Sequence, residues 1–173
     1  VNGEVQSTKT VAARGTFAFE ASLKEGRNDV DLLFTDSKDN VTRKTFNFVY
    51  LTNYDIVVDA SIANDGDLVN GKPAYKTVQA AVNAAGSSRT VIFVKAGSYK
   101  ERLVVDKPNI SIIGEDRENT LIHCYPGELG EDYEAGADMK LRCATYIMEG
   151  SKGFSAENIA FANDYVYSTP DNK

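Results

Sequence analysis

From Thr90 onward the chain is a succession of apolar, β-branched runs, "TVIFVKAG", "RLVVDK", "NISIIGED", "NTLIHCY", "ATYIMEG" and "NIAFAND", joined by turns with no helical pattern between them. Continuous apolar runs, as opposed to strict alternation, mark strands covered on both faces, as in parallel sheets. Parallel neighbours ordinarily need a crossover of a dozen or more residues. Short connections leave one arrangement, a coil in which each turn stacks on the last, that is, a parallel β-helix. Gly97, Gly114 and Gly150 fit its corners, as do Asn109 before "ISIIG" and Asn158 before "IAFAN". A sharp bend there favours residues tolerant of positive φ.

The coil is preceded by two other patterns. In "PAYKTVQAAVNAAG", Tyr75, Val78, Val82 and Ala85 recur at helical spacing, with Pro73 suited to a first turn and Gly86 to a C-terminal cap. This predicts one amphipathic helix over 73–86, covering the end of a sheet, with the strand "YDIVVDAS" before it. The first fifty residues are all-β in pattern. "GTFAFEASL" alternates, placing Phe17, Phe19 and Ala21 on one face, and "NDVDLLFTD" and "TRKTFNFVYL" follow across the turns "KEGRN" and "DSKDN". The expected division is a β module over 1–52 and the coil over 53–173.

Composition narrows the function. A net charge of −6 is the wrong sign for a partner held through phosphates, so nucleic acid is not expected. No apolar run approaches the roughly 18 residues of a spanning helix, so no membrane partner is expected. The opening "VNGEVQSTKT" lacks the pattern of a leader peptide. Cys124 and Cys143 flank a polar segment and read either as a disulfide or as two buried thiols. His123, the single histidine, reads as a strand position in "TLIHCY" and not as a catalytic or metal-binding group. Without a second histidine or a cysteine pair at ligand spacing, no metal or other cofactor is expected.

The segments "YKTVQAAVNAA", "VIFVKAGSYKERLVVDKPNISIIGEDRENTLIHC" and "ATYIMEGSKGFSAENIAFAND" resemble, in order, the opening helix and first coils of pectin methylesterases, over about Tyr54 to Asn163. The resemblance rests above all on the turn Gly97 to Glu101, on Ile113-Gly114-Glu115 with Thr120 and Ile122, and on Gly153 to Asn163. It implies a right-handed parallel β-helix with an N-terminal capping helix, without metal, that hydrolyses methyl esters of galacturonate in pectin. It also implies the chemistry: one aspartate as nucleophile, another as acid and base, glutamine donors at the oxyanion and an arginine orienting the nucleophile. The motifs that carry those groups in the family are absent from the 173 residues, where the only glutamines are Gln6 and Gln79. No catalytic residue is therefore assigned, and the chain is expected to be an inactive N-terminal portion of such an enzyme. At a substrate-contacting position where the family tends to carry threonine stands Lys140, inside the acidic insertion "YPGELGEDYEAGADMKLR". Separately, "EGRNDVDLLFTDSKDNVTRKTFNFVY" resembles the closing strands of bacterial immunoglobulin-like modules. Such a sandwich needs about seven strands, and the three or four drawn here make residues 1–52 part of one.

Tyr99 and Glu101, two positions apart, are expected to build a corner and not a catalytic pair, with Glu101 a solvated loop carboxylate. The stretch Glu128 to Asp138 reads as a solvated loop lacking the spacing of a calcium loop. Tyr133, Tyr165 and Tyr167 are candidates for stacking on sugar rings. The expected protein is secreted or cell-surface and bacterial, with pectin or a related galacturonate polysaccharide as partner and self-association through the open end of the coil. The alternative is a β-helix module that binds polysaccharide or a protein without hydrolysing anything. A β-helix lyase is a third reading, disfavoured by the Gly-Ser-Tyr turn and "GFSAENIAFAN".

Overall fold

The computed structural model describes residues 1–12, 15–125 and 143–164, and the chain divides into two compact units, Val1–Thr52 and Asn53–Lys173. In the first unit, β1 (Gly26–Thr35) and β2 (Val41–Tyr50) form an antiparallel hairpin in register from Gly26 opposite Tyr50 to Thr35 opposite Val41. The expected Asp-rich turn closes it. Asp36 Oδ1 accepts from the amides of Lys38 at 2.8 Å and Asn40 at 3.0 Å. Across the hairpin Arg43 grips the Asp31 carboxylate through two nitrogens, at 3.0 and 2.6 Å. Asn28 is fully buried, its amide donating to the carbonyls of Lys24 and Gly26 and its Oδ1 accepting from the Lys24 amide.

The expected strand at "GTFAFEASL" does not form. Phe17 stacks on Phe19 with centroids 6.3 Å apart and meets Phe34 edge-on, yet both remain substantially exposed. Alternation selects a face. A strand also needs a hydrogen-bonding neighbour, which the pattern does not specify.

The second unit opens with β3 (Ile56–Val58), β4 (Leu68–Val69) and β5 (Lys72–Tyr75), followed by α1 (Val78–Ala84). Then come β6 (Thr90–Val94), β7 (Gly97–Lys100) and β8 (Leu103–Val105), the three sides of one coil. The next coil runs through β9 (Ile110–Gly114) and β10 (Thr120–Cys124) to β11 (Thr145–Ile147), and β12 (Ser155–Glu157) and β13 (Ala160–Asn163) follow. Like sides stack in parallel: β3, β6, β9 and β12 in one sheet, β7, β10 and β13 in a second, β8 and β11 in a third. This is the parallel β-helix expected from the unbroken apolar runs.

Side chains aimed inward form one core. Val58, Ile92, Val94, Leu103, Val105, Ile110, Ile112 and Ile122 are all fully buried, and Val78, Ala81 and Val82 of α1 close its end. The outer face of the first sheet is covered too, where Tyr54 stacks on Phe93 with centroids 5.4 Å apart.

The helix is shorter than predicted. It spans seven residues, and Pro73 and Tyr75 belong instead to β5, where Pro73 lies opposite Leu68. Thr77 sets the boundary, because its hydroxyl accepts from the Ala80 amide at 3.1 Å and caps the first turn. At the other end no left-handed residue is needed: Ala85 is extended, and Lys107 Nζ donates to the carbonyls of Asn83 and Ala85 at 2.5 and 2.6 Å.

Corner chemistry is likewise split. Asn109 and Asn158 do adopt positive φ, 61° and 54°. Gly97, Gly114 and Gly150 do not, and it is Gly153 that does, at 77°. Gly114 is required for another reason: a Cβ there would stand 2.3 Å from the carbonyl oxygen of Asn158, whose side-chain amide donates to the Gly114 carbonyl at 2.9 Å. The two coils touch backbone to backbone at that point.

Candidate functional site

Chemistry-bearing side chains gather on the outward face of the second sheet. Along β7 and β10 the pleat sends Tyr99, Thr120, Ile122 and Cys124 inward, all buried, and leaves Ser98, Lys100, Leu121 and His123 outward. The register places Tyr99 opposite Ile122, and Ile122 opposite Phe161 of β13. Ser98 and His123 are thus diagonal neighbours, and Ser98 Oγ lies 2.8 Å from His123 Nε2. On the other ring edge, His123 Nδ1 lies 2.5 Å from Asp164 Oδ2. Asp164 is set in place by its own amide, which extends the ladder past β13 by donating to the Cys124 carbonyl at 3.1 Å.

A carboxylate only accepts, so the Nδ1 atom facing Asp164 carries the ring hydrogen. In the neutral imidazole, Nε2 is then the acceptor for the Ser98 hydroxyl. Ser98 is exposed, while the side chains of His123 and Asp164 retain 18% and 33% of their accessibility, so solvent reaches the row from the serine end. His123 does occupy a strand, as expected, but it is also the centre of three hydrogen-bonded groups drawn from successive coils. Sequence reading alone missed Ser98 and Asp164, which stand 25 and 41 residues away from it. The signal was available only as the product of outward alternation and the coil's pairing register.

The turn between β7 and β8 is a corner, and Tyr99 and Glu101 part company there. The Tyr99 ring points into the core, its hydroxyl donating to the Lys95 carbonyl at 2.8 Å. Burial first, and the charges of Asp59, Glu115 and Glu101 after it, push the phenol well above its ordinary range. It has no acid-base role near neutrality. Glu101 is not the solvated loop carboxylate expected: half-buried, it accepts from the first two amides of α1, Val78 and Gln79, each at 2.8 Å. Burial raises its carboxyl above the usual value, and those two amides offset part of the rise. Gln79 is structural as well, its Oε1 accepting from the Val104 amide at 2.7 Å and so tying helix to coil. At the neighbouring rim, Lys95 Nζ lies 3.3 Å from Asp59 Oδ2. Burial alone would raise the Asp59 carboxyl, but the Ser61 hydroxyl and amide, with Lys95, outweigh it and hold it below the ordinary value.

Lys140, the acidic stretch Glu128 to Asp138, and Tyr133, Tyr165 and Tyr167 lie outside the described residues. Among the described residues no three histidine, cysteine, aspartate or glutamate side chains are grouped to hold a metal ion, and no helix is long and apolar enough to cross a membrane.

The family model described as Pectinesterase matches residues 59–169, within the second unit. The chain belongs to the pectinesterase family. Among pectinesterases it is 32% identical over 123 residues to the probable pectinesterase/pectinesterase inhibitor 6 of Arabidopsis thaliana, covering 65% of this chain and 21% of that protein. It is 31% identical over 120 residues to pectinesterase A of Dickeya dadantii strain 3937, covering 67% of this chain and 30% of that one. The chain thus spans less than a third of these relatives' lengths. Two solved pectin methylesterases, each in complex with a hexasaccharide and one of them an aspartate-to-alanine mutant, share the fold. Their TM-scores are 0.51 and 0.52 at 26% and 25% identity, over 67% and 70% of this chain and 32% and 36% of theirs. The pectinesterase-like motifs fall on β7, on the end of β9 and on β12 with β13.

Proposed function

We propose that this chain supplies the opening coils of a pectin methylesterase that hydrolyses methyl esters of galacturonate in pectin. The observation that carries the reading is the family match over residues 59–169, falling on a parallel β-helix whose first layers have the family's order of helix, turn and strands. The proposed enzyme uses aspartates, glutamines and an arginine that the family bears after the segment equivalent to β13, and a rigid stack of coils suits them by holding side chains from successive layers at fixed separation. The reading includes export, since pectin is met outside the cell. It includes a bacterial source, with residues 1–52 as part of an immunoglobulin-like module, supported by their antiparallel hairpin and its Asp-rich turn. Lys140 is assigned to the substrate groove on the family resemblance alone.

The test is methanol release from highly methylated pectin. The product of the complete reading frame frees methanol, and residues 1–173 alone free none above a buffer blank. A complete product without activity overturns the proposal. A second reading is a coil that binds galacturonan or a protein without hydrolysis. It is favoured if the inactive product retains galacturonan in affinity electrophoresis.

A further inference from the structure

The geometry points to Ser98 as an activated nucleophile, with His123 as its base and Asp164 orienting the ring, acting by acyl transfer on short, unhindered esters with good leaving groups. It is separate from the aspartate chemistry proposed for pectin, and methanol release does not bear on it.

A hydroxyl becomes nucleophilic when a base lies within hydrogen-bond reach and a third group holds that base in the right tautomer. Such a constellation is recognised by geometry and roles, whatever the chain order. Here the links are 2.8 Å from Ser98 Oγ to His123 Nε2 and 2.5 Å from His123 Nδ1 to Asp164 Oδ2. The three groups sit on parallel strands of one sheet, or directly after one, so the stacking register fixes their spacing. Ser98 is the exposed member of the three.

The attacked carbonyl also needs a donor. On β7 the amides of Gly97 and Glu101 donate to Asn119 and His123 on the β10 side. Amide directions alternate along a strand, so the Ser98 amide points the other way, to the side where β7 is the edge of its sheet. That amide, adjacent to Oγ, is the donor available to an oxyanion. One such donor, on a face that no described residue encloses, suits reactive esters and not stable ones.

In the first step Ser98 Oγ bonds to the acyl carbon as its proton passes to His123 Nε2, and the Asp164 carboxylate stabilises the imidazolium. The bond to the leaving oxygen then breaks, and that oxygen takes the proton from Nε2. Water, deprotonated by the same nitrogen, attacks the acyl-serine, releasing the carboxylic acid and restoring the Ser98 hydroxyl.

The test treats the 173-residue chain with p-nitrophenyl acetate and, separately, with a fluorophosphonate, and quantifies each modified serine by peptide mass spectrometry. Ser61, whose hydroxyl donates to Asp59 at 2.6 Å, and Ser88 are exposed comparators in the same molecule with no histidine partner. General-base assistance contributes on the order of 10² to 10⁴ in rate. Ser98 is accordingly expected to react at least about 100-fold faster than either comparator. His123→Gln, which preserves a polar contact but no base, abolishes that advantage, and Asp164→Asn reduces it tenfold or more, whereas a purely structural row would give no advantage to lose. Labelling of Ser98 at the rate of Ser61 and Ser88, or an advantage that survives His123→Gln, overturns the assignment.

Discussion

Two residues show how single positions hold the coil together. Glu101 accepts from two amides that open α1, so Glu101→Ala strips both of their partner and is expected to lower stability by about 1 kcal/mol, read from urea unfolding near neutral pH. Its carboxyl is raised in the folded state, chiefly by burial. Folding therefore retains a proton that the unfolded chain releases near about pH 4.3. The stability this contributes is complete below that value and is lost as pH rises through the folded pKa. Glu101→Gln is expected to remove that falling segment from a plot of unfolding free energy against pH. Gly114 tests close approach. With a Cβ only 2.3 Å from the Asn158 oxygen, Gly114→Ala forces two backbones apart and is expected to cost about 2 kcal/mol or more, as overpacking does. Gly86→Ala, where a Cβ meets nothing within 4 Å, is expected to stay within about 0.5 kcal/mol in the same melts.

At the scale of elements, the inward rows carry the stability. Ile112 of β9 is fully buried between β6 and β12, and Ile112→Ala is expected to cost about 2 to 5 kcal/mol. Leu68→Ala on exposed β4 is expected to change stability by less than about 0.5 kcal/mol, and thermal or urea melts distinguish the two. Strands of this kind were legible in the sequence because an apolar run such as "VIFV" has no other use in a chain without intervening helices. Asn109 and Asn158 were legible because their short amides tolerate left-handed backbone. The helix start was not, because Tyr75 matched the helical period while pairing in β5, and a local hydroxyl cap at Thr77 outranks periodicity. The Ser98, His123 and Asp164 row was illegible for a different reason. Its members meet only through the pairing of β7 with β10 and β10 with β13, a register that no local pattern encodes.

For the molecule as a whole, stacking leaves edges. Among the described strands β11, β12 and β13 end their sheets, and Phe161 on β13 is 40% exposed. Strands that end a sheet and carry exposed apolar side chains recruit further strands, so the 173-residue chain is expected to self-associate with rising concentration, measured by light scattering, and Phe161→Lys to reduce it. Ile92 pairs with Ile112, 20 residues on, whereas Ile112 pairs with Ala156, 44 residues on, and both pairings are parallel and in step. Most of the extra length lies between β10 and β11, and it disturbs neither pairing. A foreign peptide spliced between β10 and β11 is accordingly expected to leave the pitch of the scaffold as it is, since the parallel pairings of β6, β9 and β12 already tolerate a step of 44 residues beside one of 20.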